Sequence, residues 1–333
     1  MKPDYHSNMA KVPDSPRNVW ILGGTGFIGR SLLNHLSSDP SNKIHLLVHK
    51  NIPFRNLERF NTVTGSLDRF DLAWFDRYPP DVVFHLARMA GPGPWRRKLS
   101  SLRGERANGR LSKHFRSLDK PPVVVYVSGS LMYGDQPDSI PVDEFAPLNP
   151  VAFGREYIRA ERPWMSNAGD SGLKVHLVRP GWIVGPGSWF RVFFWNHYVK
   201  TGRVPVYGDG NQMMSLIHVD DVGAMIAKVP EMGPDVLNLF AGNPVSQLDF
   251  TGIMAGILGA PVEHIPLTRI RREFGKAEAE ALGASIPLTT RYNESWIGHS
   301  LKYPKAEDML TQTISILKGE KSVFSKPPKQ GPV

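Results

Sequence analysis

The 333-residue chain contains no cysteine, which excludes disulfides, thiolate metal sites and cysteine nucleophiles. It holds no apolar run near the roughly 20 residues that a membrane span needs. Its first residues, MKPDYHSNMAKVPDSPRN, lack the apolar core of a signal peptide, so a cytoplasmic protein without a membrane partner is expected. HExxH metal spacing is absent, and VSGSLMYG lacks the spacing of a Gly-x-Ser-x-Gly elbow, so neither a metal site nor that kind of nucleophile is expected. No internal repeat is present. Acidic residues are the minority, 31 Asp and Glu against 40 Lys and Arg, for a net charge of +9. Basic residues such as Arg96, Arg97, Lys98, Arg269, Arg271 and Arg272 are spread along the chain, with no finger, basic zipper or stacking platform beside them. Anionic small molecules, not nucleic acid, are therefore the expected partners.

What is present is a regular alternation. VWIL (19–22), KIHLLV (43–48), NTVTG (61–65), DVVFHLA (81–87) and VVVYVS (123–128) read as strands, and the stretches 27–36 and 101–118 as helices. Near-continuous Val, Ile and Leu runs separated by helices predict a parallel sheet buried on both faces. Right-handed crossovers make it doubly wound. The fold class is therefore α/β, a Rossmann-type sheet with a smaller C-terminal substrate lobe. The expected organisation is a flexible tail over 1–17, a dinucleotide-binding domain over 18–180 plus 219–242, a substrate lobe over 181–218 plus 243–318, and a flexible basic tail over 319–333.

Between the first strand and its helix lies GGTGFIGR. Gly23 permits the tight turn, Gly26 lets the backbone approach a pyrophosphate, and Gly29 lets helix and strand pack closely. Thr25, Phe27 and Ile28 complete this cofactor loop, and free N–H groups at the helix start favour the anion. NAD sites place an Asp or Glu at the end of the second strand for the ribose 2′-hydroxyl. This chain has Val48-His49-Lys50 there, with Arg30 and Arg55 nearby. Cations in place of a carboxylate suit a 2′-phosphate, so NADP(H) is favoured over NAD(H).

In this order the motifs resemble the extended short-chain dehydrogenase/reductase family, the group containing NAD-dependent epimerases and dehydratases. GSLD (65–68) resembles the turn whose Asp, here Asp68, approaches the adenine. DVVFHLAR resembles the fourth strand, which places Leu86 and Ala87 at the cofactor and Arg88 at the cleft mouth, and Asn108 stands where the family keeps a helix asparagine. VVVYVSGSLMYGD resembles the fifth strand and its Tyr-Gly sequel. VHLVRPGWIVGPG resembles the sixth strand with the loop flanking the nicotinamide, including Pro180. The resemblance implies the fold, a nicotinamide cofactor and a small-molecule substrate. Relatives often dimerise through two helices per subunit, which makes a homodimer the default assembly.

The family's usual chemistry uses a Tyr and a Lys four residues apart on one helix face, with a Ser or Thr on the preceding strand. Alignment through Tyr133-Gly134 puts Gly129 at the Ser/Thr position, flanked by Ser128 and Ser130. Alignment of PLNPVAFGREYIRAERPW through Phe153-Gly154 and Glu161 puts Phe153 at the Tyr position and Tyr157 at the Lys position. The other register, with Tyr157 as the tyrosine, makes Glu161 its partner, which has the wrong charge. Arg155 and Arg159 lie roughly 200° around the helix from Tyr157. Tyr157, Ser128, Ser130 and Tyr133 are then the candidate catalytic groups, with Tyr157 a hydrogen-bond donor lacking a cationic neighbour and also a contact for the nicotinamide ribose.

Arg88, Met132, Trp182, Trp189 and Met214 are the expected substrate-pocket residues. Met214, in QMMSLIHVDD, stands where nucleotide-sugar members carry a phosphate-binding Arg, which turns the expectation toward a small, largely apolar metabolite of specialised biosynthesis. His85 is expected on a strand near the cofactor and His218 in a structural role, while His197 is left open. The leading expectation is an atypical NADP(H)-binding oxidoreductase without the usual Tyr/Lys pair. The alternatives are a non-redox cyclase, isomerase or lyase on the same fold, and a non-catalytic nucleotide-sensing subunit.

Overall fold

The apolar runs become the strands of a buried sheet. The computed structural model describes residues 16–49, 57–89, 91, 93–165, 172–292 and 301–323. The first half runs β1 (Arg17–Leu22), α1 (Phe27–Leu36), β2 (Asn42–Val48), β3 (Asn61–Thr64), α2 (Ala73–Arg77), β4 (Val82–His85), α3 (Gly93–Ser117), β5 (Val123–Val127), α4 (Gly154–Met165) and β6 (Lys174–Pro180). Then follow β7 (Trp182–Val184), α5 (Asn196–Thr201), β8 (Val204–Tyr207), β9 (Met213–Met214), β10 (Leu216–His218), α6 (Val219–Met232) and β11 (Val236–Leu239). The chain continues through β12 (Val245–Ser246), α7 (Gln247–Leu258), β13 (Val262–Ile265), α8 (Leu267–Glu273), α9 (Lys276–Gly283) and α10 (Ala306–Val323).

Seven parallel strands form one sheet in the order β11-β6-β5-β4-β1-β2-β3. On one face, Leu32 and Leu33 of α1 and Met225 and Ile226 of α6 pack against Val19, Ile21 and Phe84. On the other, Leu111 and Phe115 of α3 and Ala160 and Trp164 of α4 cover Trp20, Val83 and Val124. Each such large side chain contributes about 1.5–3 kcal/mol through burial, and burial on both faces is why these strands carry no polar alternation. Asn108 ties this layer together: its Oδ1 lies 2.9 Å from His85 Nε2, and its Nδ2 donates to the Ala160 carbonyl at 2.7 Å. Strand order reverses between β1 and β4, so the chain leaves in opposite directions there and opens a crevice at their carboxyl ends.

A second apolar cluster builds the C-terminal lobe, with Trp182, Phe194, Tyr207, Phe250, Leu310 and Leu317 among its members. Three boundaries differ from the sequence expectation. Helix α3 starts at Gly93, not near 101, because Trp95 to Ser100 continue the helix ahead of that position. Arg17 belongs to β1, and α10 runs to Val323, so residues 319–323 are helical and not tail. Lys50, Arg55 and the greater part of both expected tails lie outside the described residues. Among the described residues no helix is long and apolar enough to cross a membrane.

Candidate active site

At the carboxyl edge of the sheet, two helices begin over the crevice. The β1–α1 turn is built from backbone. Gly23 adopts φ +96°, and a Cβ there would lie 2.8 Å from Ala87 N. A Cβ on Gly29 would lie 2.2 Å from the Gly23 carbonyl oxygen, so the helix can approach the turn only because that position is glycine. Gly26 N–H donates to Gly23 O at 3.0 Å, and no side chain caps α1, which leaves the first-turn N–H groups open toward the crevice. Arg30 Nε donates to the Thr25 carbonyl at 3.0 Å, and Arg30 is solvent-exposed. His49 is exposed just past β2. Asp68 accepts from Ser66 Oγ at 2.8 Å and from the Arg103 guanidinium. Burial opposes its charge, but the Arg103 and Ser66 hydrogen bonds hold its carboxyl below the usual range.

The α4 start is built from side chains. A Cβ on Gly154 would lie 2.3 Å from the Leu131 carbonyl oxygen, so α4 is pinned to the turn after β5. That contact directs Phe153 and Tyr157 into a cavity of about 410 Å³. Phe27 and Ile28 from the glycine turn, Ser128 and Ser130 after β5, and Pro180 after β6 reach the same space. Trp182, Trp189 and Phe193 form an apolar wall. Gly129 lies beside Tyr157, a Cβ there falling 3.7 Å from the ring.

Arg88 changes the electrostatics. Its guanidinium sits 4.6 Å from the Tyr157 ring centroid and 5.2 Å from that of Phe153, and it has no ion-pair partner among the described residues. The expectation that Tyr157 lacks a cationic neighbour is thus corrected: the cation arrives from the segment after β4, not from α4 itself. Arg155 is exposed and Arg159 pairs with Glu105, so neither serves. Arg97 stacks on the other ring, 5.4 Å from Phe153, and is held by Glu278 of α9 at 2.6 Å. Burial pushes the neighbouring Glu156 carboxyl up, with Arg88 and Arg97 opposing.

Three expected site residues are placed elsewhere. Met132 is fully buried, its sulfur accepting from Ser128 Oγ at 3.0 Å. Met214 packs into the core of the C-terminal lobe. Tyr133 is also fully buried: its hydroxyl donates to Asn238 Oδ1 (2.7 Å) and accepts from Arg179 Nη1 (3.0 Å), while Arg179 Nη2 donates to Glu161 Oε1 (2.6 Å). This buried chain joins β11, β6 and α4 and uses the Tyr133 hydroxyl fully. His85 is enclosed in the sheet, burial pushing its pKa down to about 4. His218 caps α6, accepting from Asp220 N–H at 3.2 Å, and His197 pairs with Glu263 at 3.0 Å. Glu278 lines the cavity and Arg97 ties it to the Phe153 ring, both without a signal in the sequence, since nothing along the chain relates positions so far apart. Among the described residues no cluster could hold a metal ion.

The sequence model of the NAD dependent epimerase/dehydratase family matches residues 19–239. The chain belongs to that family. Uncharacterized protein y4nG of Sinorhizobium fredii is 30% identical over 185 residues, a match covering 55% of this chain and 44% of that protein. A dTDP-4-dehydro-6-deoxy-D-allose reductase of a Streptomyces is 25% identical over 283 residues, covering 74% of this chain and 82% of that protein. The crystal structure of human epimerase family protein SDR39U1 (isoform 2) with NADPH superposes with a TM-score of 0.72 at 20% identity, covering 90% of this chain and 99% of that one. As a member of the epimerase/dehydratase family, the protein is an NAD(P)-binding Rossmann enzyme. The uncapped start of α1 and the glycines against which no Cβ fits are the cradle that a dinucleotide pyrophosphate requires.

Proposed function

We propose that this epimerase/dehydratase-family protein is an NADP(H)-dependent oxidoreductase for a small, largely apolar carbonyl or alcohol, with Tyr157 as the proton-exchanging group in place of the family's Tyr/Lys pair. The carrying observation is the placement of Tyr157 inside the 410 Å³ cavity, beneath Arg88 and opposite the Trp182, Trp189 and Phe193 wall. Gly23, Gly26 and Gly29 hold the pyrophosphate; Leu86, Ala87 and Pro180 border the remainder. Arg30 and His49, both exposed at the ends of the glycine turn and β2, are the groups offered to a 2′-phosphate. The bound nicotinamide supplies or accepts the hydride.

This chain's own residues handle the proton. In the reducing direction the Tyr157 hydroxyl delivers its proton to the substrate oxygen, which Ser130 holds by a second hydrogen bond. Negative charge then develops on the phenol oxygen, and the Arg88 guanidinium held against the ring stabilises it. The aromatic wall excludes water and selects an apolar substrate body.

The test is titration with NADPH and NADH, then turnover of a panel of apolar aldehydes, ketones and alcohols. NADPH is expected to bind at least tenfold tighter. Tyr157→Phe is expected to lower kcat about 10²-fold while leaving nucleotide affinity unchanged. Full activity in Tyr157→Phe, or failure of NADPH to bind, overturns the reading.

A further inference from the structure

The cavity at the start of α4 is mostly apolar, and most of its polar groups already have partners. Ser128 Oγ donates to the Met132 sulfur. Ser188 Oγ donates to the Gly185 carbonyl at 2.8 Å and accepts from Phe190 N–H at 3.1 Å. Glu278, the one acid among the described lining residues, takes both ends of the Arg97 guanidinium, at 2.6 and 3.4 Å. Three groups keep hydrogen-bonding capacity that no described residue uses: the hydroxyls of Ser130 and Tyr157, and the guanidinium of Arg88, the one cation among the described lining residues. The two hydroxyls suffice for one substrate oxygen, and the guanidinium is surplus to that task. Arg88 is held over the rings of Tyr157 and Phe153. That contact fixes where the cation sits but supplies no oxygen acceptor for its N–H donors. Glu156 is near enough to interact with Arg88 electrostatically, but it does not line the cavity, forms no ion pair with Arg88, and has its carboxyl pushed up by burial.

We propose that Arg88 binds a carboxylate of the substrate, which makes the substrate class an oxo acid, or the corresponding hydroxy acid, with an apolar tail. Arg88 is exposed at the cavity mouth, where water serves its donors. A ligand that fills the cavity displaces that water, and only an acceptor on the ligand replaces it. A carboxylate does so with two parallel hydrogen bonds in the guanidinium plane, which a lone carbonyl cannot match. Charge points the same way. With Glu278 neutralised by Arg97, the described lining residues carry one uncompensated positive charge, that of Arg88. Trp182, Trp189 and Phe193 take the tail. Arg88 sits over the ring of Tyr157 itself, so the carboxylate and the oxygen held by the Tyr157 hydroxyl are close together. That spacing fits α- and β-oxo acids and not acids with a distant carbonyl. The choice of carbonyl rests on the proposed reaction, whereas the carboxylate contact does not. In that reaction the carbonyl carbon accepts the hydride of NADPH, its oxygen accepts the Tyr157 proton, and the carboxylate is unchanged.

Calorimetry on the full chain with two inert probes, hydrocinnamate and its amide, reads this site apart from the reaction, with and without saturating NADP⁺. Wild type should bind the carboxylate about tenfold tighter than the amide. Arg88→Met should abolish that preference, Arg88→Lys should keep part of it, and both should leave amide affinity unchanged. Glu278→Gln, which frees Arg97 beside the cavity, should tighten the carboxylate a few-fold and not the amide. Thermal midpoints within a few degrees of wild type establish that the variants fold. In turnover, replacing an oxo acid by its methyl ester should raise KM about tenfold in wild type but not in Arg88→Met. Equal affinity for the two probes, or a preference that survives Arg88→Met, overturns the inference. So does a loss in Glu278→Gln as large as that in Arg88→Met, or a fall in NADPH affinity in Arg88→Met that exceeds the fall for the carboxylate. Arg88-dependent carboxylate binding in a chain that reduces nothing sustains the inference and overturns the proposed reaction. Reduction of neutral ketones as readily as of oxo acids does the reverse.

Discussion

The starts of α1 and α4 face the same crevice and solve different problems. At α1 every critical contact is backbone against backbone, and the surface offered to a ligand is a set of bare N–H groups. At α4 the backbone is pinned just as tightly by Gly154, yet the surface offered is two aromatic rings carrying two guanidinium groups. The first arrangement can recognise only what all dinucleotides share. Under the proposed function, the second decides which reaction is run and on what substrate. Substitution at the glycine turn should therefore cost the fold, and substitution at the α4 rim should cost chemistry alone.

The largest effect should come from Gly29→Val. A Cβ at 2.2 Å from the Gly23 carbonyl oxygen admits no local relaxation, so this variant should fail to yield folded protein, read by circular dichroism and by loss of nucleotide binding. Next is Glu161→Gln, fully buried one helical turn after Tyr157. It strips the charge from the Arg179 pair and should cost about 3–5 kcal/mol in urea unfolding, far more than any change at the rim four residues earlier.

Acid should act on the scaffold in a similar range. Burial holds His85 neutral, its pKa pushed down to about 4, whereas the unfolded chain binds that proton below about pH 6.5. The stability it contributes is complete above pH 6.5 and is lost as the pH falls toward 4, about 3 kcal/mol in all. A His85→Gln variant should show a flatter stability profile over that window. An unchanged profile would remove His85 from the account.

The smallest effect should be Phe153→Leu. Removing the ring that carries Arg88 and Arg97 forfeits about 0.5–1 kcal/mol per cation. A two- to fivefold fall in kcat/KM with a thermal midpoint lowered by only about 2–4 °C should result. If Phe153→Leu instead destabilised the protein as much as Glu161→Gln, the contrast between rim and scaffold would collapse.

Legibility in the sequence followed the same division. Strands β1, β2, β4 and β5, helix α1 and the glycine turn were readable because each depends on neighbours within a few residues: apolar runs, a positive φ, a position with no room for Cβ. Met132 and Tyr133 lie next to Ser130 on one turn, and Met214 aligns with the phosphate-binding Arg of nucleotide-sugar relatives, which points all three toward the site. Burial took them elsewhere, since residues one or two apart on a turn point in different directions. No residue of α4 itself brings a cation to Tyr157; Arg88 brings it from the segment after β4.

By itself the sequence determined the doubly wound sheet and the nucleotide turn, because periodicity and glycine geometry are local properties of a chain. It also determined which side chains stand at the start of α4. Only the tertiary structure decided what those side chains face: Arg88 over Tyr157, Arg97 tied to Glu278, and Tyr133 locked to Arg179. The physical reason is the same in each case. Energies of charge and contact depend on distance through space, and helices bring together residues that the linear order keeps apart.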